Sequence, residues 1–320
     1  MNFRPILIIG GEPQSIFLEI FLKTLKKKLR HPIILISSKK ILEKNKEKFK
    51  KNFKYNELNK NFSNITRKRI NLVNINYNKF KFSRKKITSI SNSYIESSFK
   101  KAFEIINKQG CCGLINGPIS KKTFLKGKYN GITEYLAKKT NSKNPVMLIY
   151  NKHLSVSPLT THIPISKVSK NIKKKDIIIK IKKINYFYKR YIKKTPRFGV
   201  TGLNPHCESF DKINKEKKEI IPAIKALKKN KINISGPFAA DTIFSKENMK
   251  KFDVIFGMYH DQVLSPMKTL YGFDAINITL GLPFIRISPD HGPNVQMLGK
   301  NKSNPKSLIE ALLFFKKYEI

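Results

Sequence analysis

The chain has 320 residues, 40% of them hydrophobic, and its 65 lysines and arginines against 21 aspartates and glutamates give a formal net charge of +44. That length supports one large or two moderate domains with a real core, while no apolar run reaches the roughly 18 residues of a transmembrane helix and the opening MNFRPILIIGGEP lacks the long apolar stretch of a secretory signal. Three cysteines, two of them adjacent (Cys111, Cys112), make no disulfide framework, so a reducing cytoplasm is the expected home. In chain order, residues 5–9 read as a strand and the segment after Pro13, SIFLEIFLKTLKKKL, as a helix with apolar residues at helical spacing. Residues 32–37 predict a second strand, followed by a charged helix; 71–75 is a candidate third strand, but the Lys/Asn/Ser-rich stretch 39–90 is otherwise uninformative. Residues 91–108 read as a helix, and 113–116 as a short buried strand ending in Gly117-Pro118. Helices are expected from Lys121 and Thr133, and strands over 147–150 and 154–159. DIIIKIKKINYFYKRYIKK (176–194) reads as a long amphipathic helix whose Ile, Phe and Tyr side chains belong to the core. A further helix spans 215–228, strands 276–280 and 284–288, and a closing helix 305–318. Alternating strands and helices predict an α/β protein.

The charge admits a nucleic-acid binder. Only eight of the basic residues are arginine, however, and sequence-specific recognition leans on arginine for bidentate and stacking contacts. The lysines are spread over 26–28, 39–54 and 173–194 without the aromatic platform that single strands require. They read as solvated surface that attracts anionic substrates, with neither a specific nucleic-acid partner nor a membrane.

Three histidines close apolar, strand-like runs: LSVSPLTTH to His162, RFGVTGLNPH to His206 and DVIFGMYH to His260. Ligand sites in open α/β sheets lie outside the carboxyl ends of strands. Three neutral imidazoles delivered there can hold one metal ion and leave a position open; singly, each also reads as a structural or surface residue. Polar neighbours (Thr160-Thr161, Asn204, Asp261-Gln262) suit the orientation of metal-bound rings, whereas Cys207, adjacent to His206, reads as incidental. Beyond His260, Lys268 with Asn277 and Arg286 in the strand-like runs INITL and FIRIS makes an anion clamp for phosphate or carboxylate; the alternative pairs Arg286 with Asp290 or Asp241. In GPFAADT, Asp241 is either a helix N-cap or a carboxylate serving a catalytic group. Gly10-Gly11-Glu12-Pro13 lacks both the G-x-G-x-x-G and the P-loop pattern and reads as a strand-to-helix turn.

TTHIP, GLNPH, GPFAADT and, above all, MYHDQVLSPMKTLYGFDAINITLGLPFIRISPDHG carry a resemblance that runs nearly the whole chain. The chain resembles the 4-hydroxythreonine-4-phosphate dehydrogenases of pyridoxal phosphate (vitamin B6) biosynthesis. The resemblance implies an isocitrate/isopropylmalate dehydrogenase-like fold: two α/β/α subdomains around a central cleft, 1–124 plus 293–320 forming one and 125–292 the other, with the metal site and a homodimer interface in the second. It implies His162, His206 and His260 as ligands of one divalent metal (zinc, magnesium or cobalt) in active sites shared between subunits, His260 being offered to the neighbouring subunit. Thr133, Lys268, Asn277 and Arg286 match substrate-contacting positions. Asp290, His291 and Gly292, with Asn304 further on, match the loop that holds the adenosine of NAD, NADP being the alternative. The implied chemistry is NAD-dependent oxidative decarboxylation of 4-phosphohydroxy-L-threonine to 3-amino-2-oxopropyl phosphate, with Lys268 or Asp241 as the base. The chain departs from the family pattern at Ile132, where a substrate-contacting histidine is usual, at Ser15-Ile16-Phe17-Leu18 in place of Gly-Ile-Gly-Pro, at Ser120, and at Cys207-Glu208-Ser209-Phe210. A dehydrogenase acting on another phosphorylated hydroxy acid, and a basic nucleic-acid-binding degenerate homologue, are the alternatives these departures leave open.

Overall fold

The computed structural model describes residues 4–25, 31–129, 131–208, 214–272, 274–289 and 291–318. The chain folds as two compact units, Met1–Leu136 with Phe284–Ile320, and Ala137–Pro283; the sequence expectation had divided it at 124/125 and 292/293.

The first unit opens with β1 (Ile6–Ile9), α1 (Phe17–Thr24), β2 (Ile33–Ser37), α2 (Lys39–Lys48), β3 (Tyr55–Glu57), β4 (Ile70–Asn74), α3 (Asn92–Gln109), β5 (Gly113–Asn116) and the start of α4 (Ile132–Lys139). Its strands run β3-β4-β2-β1-β5, all parallel. β1 has a strand on either side and is fully buried, which explains its unbroken apolar run ILII. β3 had no apolar signal in the sequence. Its place is set by amides: buried Asn71 accepts from Asn56 Nδ2 (3.1 Å) and from the Thr66 backbone N–H (2.8 Å), and donates to the Ile33 carbonyl (3.0 Å).

The second unit contains β6 (Val146–Tyr150), β7 (Ser155–Thr160), α5 (Val168–Asn171), α6 (Lys174–Phe187), β8 (Phe198–Thr201), α7 (Ile221–Lys229), β9 (Ile234–Phe238), α8 (Ala240–Ile243), β10 (Val254–Tyr259), α9 (His260–Tyr271) and β11 (Ile276–Leu280). Strand order is β11-β6-β7-β10-β8-β9. β11, β6 and β7 alternate in direction, whereas β7, β10, β8 and β9 are parallel. α6 buries Ile177, Ile181 and Ile184, spaced four and three residues apart on one face. A core of Met147, Ile149, Val156, Ile255, Val263 and Met267 packs β6, β7 and β10 under α9. β9 was not expected, because Gly236-Pro237 interrupts its pattern; proline is tolerated there because β9 pairs only with β8, at the edge.

The chain then returns to the first unit, where β12 (Arg286–Pro289) adds in parallel beside β5, and closes with α10 (Lys306–Lys317). Among the described residues no helix is long and apolar enough to cross a membrane. All three cysteines are free thiols.

Candidate active site

In the second unit, β7, β10 and β8 are adjacent and parallel, so their carboxyl ends open on one edge. His162 lies two residues beyond β7, and His206 sits in the short turn Pro205–Cys207 beyond β8. His260 does not end a strand, as the apolar run suggested; it is the first residue of α9. Thr160 and Tyr259 are partners in the β7–β10 ladder. That register brings the rings of His162 and His260 to a centroid separation of 5.7 Å. With zinc–nitrogen bonds of about 2.0–2.1 Å, two imidazoles at that spacing can share one ion. His260 Nδ1 lies 2.6 Å from Asp261 Oδ1, a contact that orients the ring and leaves Nε2 for a ligand. His206 does not join the pair. Among the described residues of one chain, no three His, Cys, Asp or Glu side chains gather into a group that could hold a metal.

The loop carrying His206 is unusual. His206 (φ 55°) and Cys207 (φ 62°) are both left-handed, a conformation that non-glycine residues adopt at a cost of about 1–2 kcal/mol each. Cys207 turns its thiol toward Gly202, where an added Cβ would fall 2.8 Å from the sulfur. Burial pushes that thiol's pKa up, so it is a poor thiolate donor.

Two side chains that the sequence did not single out for this task hold the loop. Glu216, 1% exposed, accepts the backbone N–H groups of Leu203 and Asn204 (2.9 Å each) and Asn204 Nδ2 (3.2 and 3.1 Å). Buried Gln262 accepts from Met258 N (2.7 Å) and Thr201 Oγ1 (2.8 Å) and donates to the Gly202 carbonyl (2.8 Å), tying the end of β8 to β10. Glu216 lies in the run NKEKKEI, which reads as the start of a helix, ten residues beyond His206 and after two nearer acids, Glu208 and Asp211, so nothing in the sequence singles it out.

Lys268 is exposed on α9, two turns beyond His260. Asp241 is exposed in the first turn of α8. The N-cap reading of Asp241 is corrected: the cap position is Ala239, and no side chain caps this helix. Asn277 faces out of β11 with its Oδ1 buried and without a hydrogen-bond partner, which costs about 1–3 kcal/mol until a donor arrives.

In the first unit, Arg286 opens β12 and is 4% exposed. Its Nε donates to Asn116 Oδ1 at 2.7 Å. Burial lowers its pKa to about 10, opposed by the charge of Glu134, so it stays cationic at neutral pH. Glu134 of α4 is an acid whose charge acts on it; Asp290, one of the partners the sequence offered, lies outside the described residues. Thr133 is half-buried in the same first turn of α4, while Ile132 is 8% exposed and belongs to the core. The Gly10–Pro13 turn presses on Gly117-Pro118: Glu12 N–H donates to the Pro118 carbonyl at 2.8 Å, and a Cβ on Gly11 would fall 2.6 Å from that oxygen. The Glu12 carboxyl accepts from Ser91 Oγ (2.8 Å) and Ser120 N (3.1 Å).

Of the expected nucleotide residues, Asp290 lies outside the described residues. His291 stacks on the buried ring of Phe17, with centroids 6.1 Å apart. Gly292 stands in open space; an added Cβ would meet only Asn294 Oδ1, at 3.8 Å. Asn304 Oδ1 accepts from Lys306 N at 2.9 Å, at the start of α10. Phe17 and Leu18, which replace the family's Gly-Pro, are absorbed into the core. Ser209 and Phe210 lie outside the described residues, whereas Ser120 caps the turn after it through Thr123 N (3.4 Å).

The family model of the pyridoxal phosphate biosynthetic protein PdxA matches residues 28–314. A 4-hydroxythreonine-4-phosphate dehydrogenase from Sulfurihydrogenibium sp. is 38% identical over 96% of this chain and 96% of its own. A protein from Oceanobacillus iheyensis, provisionally named as a D-threonate 4-phosphate dehydrogenase, is 31% identical over 98% of this chain and 97% of its own. The crystal structure of a 4-hydroxythreonine-4-phosphate dehydrogenase from Burkholderia phymatum superposes with a TM-score of 0.77 at 27% identity, covering 98% of this chain and 97% of that one. The chain is a dehydrogenase and belongs to the PdxA family of pyridoxal phosphate biosynthesis.

Proposed function

We propose that the chain oxidises and decarboxylates 4-phosphohydroxy-L-threonine to 3-amino-2-oxopropyl phosphate, using NAD (or NADP) and a divalent metal, as a cytoplasmic homodimer. The observation that carries this reading is the His162–His260 pair on adjacent parallel strand ends, 5.7 Å between rings. The donor set fits a metal: imidazoles suit zinc or cobalt better than magnesium. One chain gathers only two of the three imidazoles, which supports a site completed between two copies. When bound, the cation supplies Lewis acidity toward the substrate's oxygens and the nicotinamide accepts hydride.

The chain's own residues do the rest. Arg286, a buried cation, and Lys268, an exposed one, neutralise phosphate and carboxylate. The orphaned Asn277 Oδ1 accepts a hydrogen bond from the substrate. Lys268 or Asp241 takes the proton of the hydroxyl being oxidised. Thr133 adds a hydroxyl contact. His291, Gly292 and Asn304, with Asp290, receive the adenosine; open space at Gly292 supports close approach of a nucleotide to the backbone. The test is NADH formation from 4-phosphohydroxy-L-threonine, NAD and zinc or cobalt. No NADH from a folded, metal-loaded dimer overturns the substrate assignment.

A second reading, a different phosphorylated hydroxy acid such as a phosphothreonate, is favoured by the core position of Ile132 where the family offers an imidazole. A substrate panel separates the two through their kcat/KM ratio.

A further inference from the structure

We infer that Glu216 is a positioning residue for the third metal ligand, holding the strained turn that presents His206; the inference rests on the metal reading above. The argument starts from the backbone. His206 and Cys207 are consecutive non-glycine residues at positive φ (55° and 62°). Such conformations persist only where the surroundings over-determine them. The turn's own bonds are few: Cys207 N–H donates to the Asn204 carbonyl (3.1 Å) and Glu208 N–H to the Pro205 carbonyl (3.2 Å). Pro205 has no N–H to offer. What fixes the start of the turn is one carboxylate. Glu216 Oε1 gathers the N–H groups of Leu203 and Asn204 together with Asn204 Nδ2, and Oε2 takes a second contact to Asn204 Nδ2.

A buried carboxylate is expensive unless its oxygens are filled. Among the described residues, the donors bonded to it come from the two residues that lead into Pro205-His206. In a chain with three times more basic than acidic residues, this acid makes no salt bridge with any of them among the described residues. Its neighbour Glu219, by contrast, pairs with Lys215 at 4.0 Å. The carboxylate is therefore committed to the loop. Gln262 anchors the same loop one step earlier, at Gly202. Between these two anchors, residues 202–204 are held to the body of the unit, and His206 is presented from a fixed base. A ligand displaced by about 1 Å loses most of its contribution.

The experiment measures Co(II) affinity, by its visible spectrum, on the full-length protein for wild type, Glu216→Gln, His206→Ala and the double variant, with melting temperatures alongside. Glu216→Gln keeps the shape but sets an amide N–H₂ against donors. We expect it to weaken Co(II) binding about 10–100-fold while melting within a few degrees of wild type. In the His206→Ala background the same change should alter affinity by less than about twofold, because the ligand it positions is gone. Unchanged affinity in Glu216→Gln overturns the inference, as does an equal loss in both backgrounds, which marks a general structural role. If Glu216→Gln does not fold, Asn204→Ala, which removes only the side-chain donor, is judged by the same cycle; affinity equal to wild type there overturns the inference too. A wild-type protein that binds no Co(II) overturns the metal reading itself and the inference with it, whereas wild-type binding with an indifferent Glu216 overturns the inference alone.

Discussion

The two units present their candidate functional groups in opposite ways. In the first, Arg286 is built into a strand, almost fully buried, with Asn116 bonded to its Nε and Glu134 set against its charge. In the second, the histidines sit just past the ends of β7, β8 and β10, half-exposed or exposed, His162 and His206 outside regular strands and α-helices and His260 at the start of α9. A buried cation inside a regular element is organised before any ligand arrives. Side chains on turns depend on clamps such as Glu216 and Gln262, and in one chain only two of the three rings meet. The first arrangement suits a fixed charge that recognises an anion. The second suits ligands that are completed by assembly.

The largest expected effect tests the second arrangement. His162→Ala should abolish turnover and reduce Co(II) affinity at least about a hundredfold, since it leaves His260 as the only one of the two adjacent rings in its chain to hold the ion. Dilution below the dimer's dissociation constant should do the same if the third ligand crosses between copies; metal affinity independent of protein concentration, read in a titration series, would confine the site to one chain. Next comes Arg286→Met. Loss of a buried cation should lower kcat/KM about 10²–10³-fold, mostly through KM. Its folded pKa lies below the ordinary guanidinium value because burial disfavours the charge, so at neutral pH the charged form weakens the fold. The Met variant should therefore melt no lower than wild type without ligand, yet lose the rise in melting temperature that inorganic phosphate gives wild type.

How much of this was legible in the sequence differs between the same two regions. β1, β5 and the run FIRIS announced themselves because buried parallel strands need unbroken apolar residues, and an arginine inside such a run stands out. The histidines were visible as strand-end residues, and the ladder makes β7, β10 and β8 neighbours. Invisible were the parts that rest on side-chain amides and carboxylates meeting distant backbone. Glu216 reaches back to residues 203–204 and Asn71 organises β3; neither leaves a periodic trace. β9 hid behind Gly236-Pro237, which reads as a turn unless the strand is known to be at an edge.

A smaller effect is expected at Ile132. Ile132→His would restore the imidazole usual in the family, at a position 8% exposed. Burying that ring should cost about 1–3 kcal/mol unless it finds a partner, so the melting temperature should fall. If the present side chain is what diverts the enzyme from 4-phosphohydroxy-L-threonine, kcat/KM for that substrate should rise relative to phosphothreonate; an unchanged ratio removes Ile132 from the specificity argument.

The smallest effect is the pH response of Glu12. Burial holds its carboxyl pKa above the ordinary carboxylate value, against the hydrogen bonds from Ser91 and Ser120. A group whose folded value is raised favours the fold when protonated. The stability linked to it is complete below the ordinary carboxylate range and is lost as pH climbs through the raised folded value. Glu12→Gln, which cannot ionise, should therefore melt close to wild type in mild acid and gain on it as pH rises toward neutral. A difference in melting temperature that is constant across that interval would mean that Glu12 is not titrating there. The bonds to Ser91 and Ser120, rather than the buried charge, would then govern how the Gly10–Pro13 turn is held.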